Sequence, residues 1–338
     1  MVRADINTPP ILKTDSLTIG YLQNGEKRVV QSNLKLEIRP GEMVCLIGPN
    51  GSGKSTLMRT MAGLQPALDG YTYIDEKTVK SRSFKEMARL LSMVLTDPMS
   101  VGNLTVYQVV SLGRYPHNNW FGTLSKKDKA IIKEALEKVH LLDYADKYVA
   151  EMSDGEKQRT LIAKALAQDT PLIMLDEPTA HLDLPNRVDI MQLLRGLALK
   201  TQKAIVLSTH ELDLALQAAD RIWLMDKNQP ILTGTPEDLV LNGDFERTFG
   251  SGNFDFDLNT GTFRMHHESQ EISIKVLGNS VATVWLKRAL MREGYTITEE
   301  PADFDISFNA SAHTWTISRG EREVTCTTIE QILNELRC

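Results

Sequence analysis

Gly48-Pro49-Asn50-Gly51-Ser52-Gly53-Lys54-Ser55-Thr56 decides how this chain is read. The stretch fits the pattern G-x-x-x-x-G-K-[ST]. The run Met43-Val-Cys-Leu-Ile47 before it is continuously apolar, as a strand buried on both faces should be. Behind it, Leu57, Met58, Met61 and Leu64 recur at helical spacing. Strand, glycine loop and helix is the context in which this pattern cradles phosphate. Gly48, Gly51 and Gly53 permit backbone conformations closed to other residues, and a close approach to a ligand. The loop amides then form a concave anion site, and a helix opening near Lys54 adds its positive end. Lys54 can reach the β- and γ-phosphates of a nucleotide, and the Ser55 hydroxyl can ligate magnesium.

The chain has 338 residues, a length that suggests two domains, and 42% hydrophobic against 24% charged residues, as in an ordinary soluble protein. No apolar run is long enough to span a bilayer. The N-terminus lacks an apolar signal core, so a non-exported protein is expected. Cys45, Cys326 and Cys338 make neither metal-ligand spacing nor an even disulfide framework, and Cys45 reads as a small core residue. A net charge of −6 without a basic block argues against nucleic acid as a partner.

Residues 12–38 read as β structure, with Leu34, Leu36 and Ile38 alternating with Lys35 and Glu37. Further β structure is expected at 70–74. Helical patterns cover 83–91, 126–140 and 153–167. Short apolar runs at 172–175, 204–207 and 222–225 suit buried parallel strands separated by helices, which predicts an α/β layered core. Composition shifts near Phe249-Gly-Ser-Gly-Asn253. Two domains are therefore expected, 1–249 and 250–338. The second is a small α+β domain with strands at 272–277, 295–299, 305–308, 314–318 and 323–327 and helices at 281–292 and 329–336. Trp285 is expected in its core.

Asp176-Glu177 follows the apolar run at 172–175 directly. A strand ending in two acids places carboxylates at the sheet edge where nucleotide phosphates would lie. The first suits magnesium and the second suits polarising an attacking water.

With these acids, Met152-Ser-Asp-Gly-Glu-Lys-Gln-Arg159 resembles the signature L-S-G-G-E-x-Q-R of ATP-binding-cassette ATPases, and His210 in Leu207-Ser-Thr-His210 matches that family's switch histidine. The resemblance covers about Leu12–Phe249. It implies an α/β nucleotide-binding domain with a phosphate-loop core, an antiparallel β subdomain and a helical subdomain. It also implies ATP and Mg2+ as cofactors, and a head-to-tail pair of cassettes, expected to be identical chains. Ser153, Gly155 and Glu156 of one cassette would meet the nucleotide held by the loop of the other. Glu177 would be the general base, and His210 would hold the γ-phosphate and water. Tyr21 would stack on adenine. Asp183 in Ala180-His-Leu-Asp183 would be the acid of the loop that crosses the interface.

Two positions depart from the family. Asp154 stands where a glycine is usual, which is unfavourable near a phosphate unless it points away or pairs with a cation. Thr96, followed by Asp97, stands where a glutamine normally links magnesium to the transporter surface, so Thr96 is a candidate on the metal side. Leu112-Gly-Arg-Tyr-Pro-His117 and Thr209-His-Glu-Leu-Asp-Leu-Ala-Leu216 resemble the branch that drives uptake of iron chelates, haem and cobalamin. That branch implies an integral membrane permease, docked against about Asp97–Leu124, and a periplasmic or lipoprotein substrate-binding protein acting indirectly. The ATPase would lie on the cytoplasmic face of the membrane. A soluble cassette ATPase of DNA repair or translation is the alternative, and an unrelated phosphate-loop kinase a third. The domain beyond about Gly252, outside the resemblance, is expected to regulate or stabilise a dimer.

Overall fold

The computed structural model describes residues 8–95, 103–117, 123–227, 229–250, 254–257, 262–265 and 272–337. The chain divides into two compact units, Met1–Gly250 with Phe256–Thr262, and Ser251–Asp255 with Phe263–Cys338.

The first unit opens with β1 (Leu12–Gln23), β2 (Glu26–Leu34) and β3 (Glu37–Ile38). The alternating stretch 34–38 is thus two strand ends rather than one strand, although Leu34, Leu36 and Ile38 are all buried. Then come β4 (Met43–Ile47), α1 (Lys54–Met61), β5 (Asp69–Ile74) and β6 (Lys77–Thr78). Strands β2, β1, β5 and β6 pair in that order, with β3 against β1, as an antiparallel layer.

A single turn, α2 (Phe84–Met87), precedes β7 (Leu91–Val94), so the helical pattern expected at 83–91 is shorter than its span. Next come α3 (Val106–Ser111), α4 (Lys126–Lys138), α5 (Asp154–Ala167) and β8 (Leu172–Asp176). These lead to α6 (Leu184–Thr201), β9 (Ala204–Ser208), α7 (Leu212–Ala218), β10 (Arg221–Leu224), β11 (Leu232–Gly234), α8 (Pro236–Leu241) and α9 (Asp244–Phe249). The second sheet has the order β11-β10-β4-β9-β8-β7 and is parallel except for β11. Every residue of β4, β8 and β9 is buried, which explains their uninterrupted apolar sequences. Burying a Leu or Ile side chain in such a strand contributes about 2 kcal/mol. The phosphate-loop stretch, Asp176-Glu177 and His210 all follow the carboxyl ends of these central strands, where open α/β sheets bind ligands.

Strands β12 (Phe254–Asp257) and β13 (Thr262–Met265) pair as a two-stranded sheet. The second unit continues with β14 (Ser273–Leu277), α10 (Val281–Arg292), β15 (Thr296–Ile297), β16 (Phe304–Asn309), β17 (Thr314–Arg319), β18 (Arg322–Cys326) and α11 (Ile329–Arg337). Its mixed sheet runs β15-β14-β16-β17-β18. Alternate residues Ile274, Val276, Trp315 and Ile317 pack with Leu286 and Leu290 of α10 and Ile332 and Leu336 of α11. Trp285 is not in this core. It is 55% exposed, with the Arg288 guanidinium 5.1 Å from its ring. The core face of α10 falls on Leu286, Ala289 and Leu290, and the 100° step per residue turns Trp285 away from it. Ser280 caps α10 by accepting from the Thr283 amide, so the strand–glycine–helix turn at 273–280 is satisfied by its own residues.

Candidate functional site

The glycine loop leaves β4 and is shaped by what it touches. A Cβ at Gly48 would lie 2.0 Å from the Met225 carbonyl oxygen, and one at Gly53, whose φ is +107°, would lie 2.3 Å from Val30. Only glycine fits at either point. Lys54 is buried and turns its ammonium back onto the carbonyls of Gly48 at 2.9 Å and Pro49 at 3.3 Å. Burial lowers its pKa, while Glu177 and Asp176 oppose the shift. The Ser52 hydroxyl is buried in the loop with no hydrogen-bond partner among the described residues. An orphaned buried hydroxyl is costly alone, and a phosphate oxygen in the cradle would satisfy it. Tyr21, on β1, hydrogen-bonds Thr56 through its phenol and leaves its ring 48% exposed beside the loop's helix.

The acids face this loop. Asp176 ends β8 and is buried; its Oδ1 accepts from the Ser55 hydroxyl at 3.3 Å and from the Ser208 hydroxyl at 2.6 Å. Ser55 and Asp176 can supply two ligands to one magnesium ion, leaving the rest to phosphate and water. Among the described residues, no cluster of three His, Cys, Asp or Glu side chains is placed to hold a metal unaided. Glu177 turns into the left-handed region at φ +49°, and its amide is held by Ser208. Its Oε1 lies 2.7 Å from His210 Nε2. His210 is aimed by the loop after β9, where the Thr209 amide donates to the Leu46 carbonyl and the Thr209 hydroxyl accepts from the Glu211 amide. Ser208 lies in the stretch Leu207-Ser-Thr-His210, in which the sequence marks only the histidine. It is one serine ending an apolar run, and only the parallel register of β8 with β9 brings it to the acids.

Ser153 is the N-cap of α5. Its hydroxyl accepts from the Glu156 amide, and Glu156 Oε2 accepts in return from the Ser153 amide and hydroxyl, both at 2.8 Å. The backbone bond from Ser153 leads the causes that hold the Glu156 carboxyl below its usual range. Gly155 packs on α6, where a Cβ would come within 2.6 Å of Asn186 Oδ1. Asn186 in turn donates to Asp183, the cap of α6. The signature turn and Asp183 are therefore neighbours. Among the described residues, no hydrogen bond joins them to the phosphate loop of the same chain. Asp154 pairs with Lys157 at 3.4 Å, which meets the condition set by its charge. Thr96 and Asp97 lie outside the described residues.

A family model described as ABC transporter matches residues 31–180, and a model described as iron ABC transporter C-terminal domain matches 271–337. The chain is 40% identical over 230 residues to an uncharacterised ABC transporter ATP-binding protein of Methanocaldococcus jannaschii, covering 68% of this chain and 78% of that protein. This chain belongs to the ATP-binding subunits of ABC transporters. It is also 38% identical over 224 residues to the iron(3+)-hydroxamate import ATP-binding protein of Bacillus subtilis, covering 66% of this chain and 82% of the relative. A dimeric ATP-binding cassette bound to ADP and phosphate in a post-hydrolysis state superposes with a TM-score of 0.57 at 27% identity, covering 67% of this chain and 98% of that one. This ABC subunit is thus a nucleotide-binding ATPase of a transporter, which sets aside the repair, translation and kinase alternatives. Among the described residues, no helix is long and apolar enough to cross a membrane.

Proposed function

We propose that this ATPase powers uptake of an iron–siderophore, haem or cobalamin complex through a membrane permease, from the cytoplasmic face. The observation that carries the chemistry is the pair of contacts at one sheet edge, Ser55 with Asp176 and Glu177 with His210. Bound magnesium would neutralise phosphate charge, and Ser55 and Asp176 would hold it; Thr96 is a further candidate there. Lys54 and the non-proline backbone amides of residues 48–56 hold the β- and γ-phosphates, and the Tyr21 ring takes the adenine. Glu177 removes the proton from the attacking water, with His210 holding water and γ-phosphate in line. Ser153, Gly155, Glu156 and Asp183 complete the site from a second copy of the chain, using the positive end of α5.

The import assignment is supported by the iron-transporter match of residues 271–337 and by the hydroxamate-import relative. A substrate-binding protein would act on the permease, not on this chain, and nucleic acid has no part. A groove of about 860 Å³ lies between the end of α1, β5, α2 and β7. Leu64, Tyr71, Phe84 and Met87 line it, and Phe84 is 86% exposed. Exposed apolar surface of this kind marks an interaction site, while the permease contact itself is assigned to about Asp97–Leu124, as the resemblance implies. Residues 250–338 are proposed to regulate or stabilise the dimer.

The test is co-expression with a candidate chelate permease, followed by uptake of radiolabelled ferric hydroxamate, haem and cobalamin. Uptake of one of them that disappears in Glu177→Gln supports the assignment. Full uptake with Glu177→Gln, or a chain that never co-purifies with a permease, contradicts it.

A further inference from the structure

Ser208 closes β9 and is fully buried. Parallel pairing sets it opposite Asp176 on β8 and opposite Leu46 on β4. Its hydroxyl donates to Asp176 Oδ1 at 2.6 Å, the same oxygen that accepts from Ser55. Its oxygen accepts the Glu177 amide at 2.9 Å, and its carbonyl lies 3.2 Å from that nitrogen. Two residues on, His210 meets the Glu177 carboxylate. One strand end thus holds the metal-side acid, the backbone of the second acid, and that acid's partner.

We propose that Ser208 is a positioning residue for ATP hydrolysis. It orients the Asp176 carboxylate toward Ser55, and it fixes the left-handed turn from which Glu177 reaches His210. The proposal rests on the roles given to Asp176 and Glu177 above. A hydroxyl offers one donor and two acceptor positions, and this one spends its donor on Asp176 and an acceptor on Glu177. No apolar side chain of that size can do both. Alanine would leave the Glu177 amide with the longer carbonyl contact alone, and would strip a charge-assisted bond from a buried carboxylate. The two losses have different readouts. Asp176 affects magnesium, Glu177 affects turnover, and the loop amides that bind nucleotide are untouched.

The experiment measures steady-state ATPase of the full chain against Mg2+ concentration, together with binding of trinitrophenyl-ATP in the absence of metal. Partners that orient metal ligands are typically worth 10–100-fold in affinity or activity. Ser208→Ala is therefore expected to lower kcat about 10-fold or more and to raise half-saturating Mg2+ at least about 3-fold. Metal-free nucleotide binding should stay within about twofold, because the phosphate-loop amides do not involve Ser208. If the alanine variant fails to fold, Ser208→Cys, close in shape but a poor donor, is read in the same way. Ser208→Ala, or Ser208→Cys in its place, with unchanged kcat and Mg2+ dependence beside an inactive Glu177→Gln overturns the proposal. An active Glu177→Gln instead overturns the assignment of the base on which it rests.

Discussion

Glu177 holds a backbone conformation that a side chain with a Cβ adopts at a cost of about 1 kcal/mol. The turn aims its carboxylate at His210 rather than along the strand, and such strain persists only where neighbours over-determine it. Lys54 and Gly155 make equally specific demands. Lys54→Ala removes the ammonium that bonds the Gly48 and Pro49 carbonyls, and nucleotide affinity by fluorescence titration should fall at least about 10-fold, the worth of a charge-assisted bond of about 1.5–3 kcal/mol. Gly155→Ala drives a methyl into Asn186 and so disturbs the bond to Asp183. It should lower turnover while leaving metal-free nucleotide binding unchanged. The phosphate loop, both acids and His210 were legible in the sequence because each lies in a contiguous pattern. Ser208 was not, since its importance comes from strand register across residues far apart in sequence. Trp285 was misplaced because hydrophobicity alone assigns a tryptophan to the core, whereas the phase of α10 turns it outward.

Among the elements, the turn Leu112–His117 after α3 is the clearest case of a local motif with a distant purpose. Its sequence resembles a segment of the chelate-importer branch. Its structure is a short 3-10 turn that buries Arg114 against Asp128 of α4 at 2.8 Å, with a further bond to the Ala167 carbonyl that ends α5. His117 adds a bond to the Gln168 carbonyl. Arg114 thus joins three elements of the helical region. Removing one partner of a buried pair strands the other, so Arg114→Ala should destabilise the chain by about 3 kcal/mol in urea unfolding. The Ser125 hydroxyl, the Ser125 amide and Arg114 hold the Asp128 carboxyl down to about 2. Because this pKa is depressed by folding, its stabilisation is fully present above the usual carboxylate range near 4 and is lost as pH falls toward 2. Urea midpoints compared at pH 7 and pH 3 should show a smaller acid loss in Asp128→Asn than in the natural chain.

At the scale of the whole molecule, each chain is proposed to carry half of each site it needs. The loop, the acids and His210 meet at one sheet edge, while the signature turn packs on Asn186, which bonds Asp183. The chain divides into two compact units whose main boundary lies near residue 250, where its composition also shifts. Completion of each site by a second copy is proposed from the signature resemblance, because a cross-chain contact leaves no period in one sequence. If the C-terminal unit regulates or stabilises the pair, truncation after Phe249 should change either ATPase rate or oligomeric state. The central claim is that two copies close around ATP. Sedimentation velocity of full-length Glu177→Gln with Mg2+ and saturating ATP tests it most directly. The predicted result is a dimer with ATP that reverts to monomer with ADP; a chain that stays monomeric at saturating ATP, or whose association ignores the nucleotide, would contradict the account.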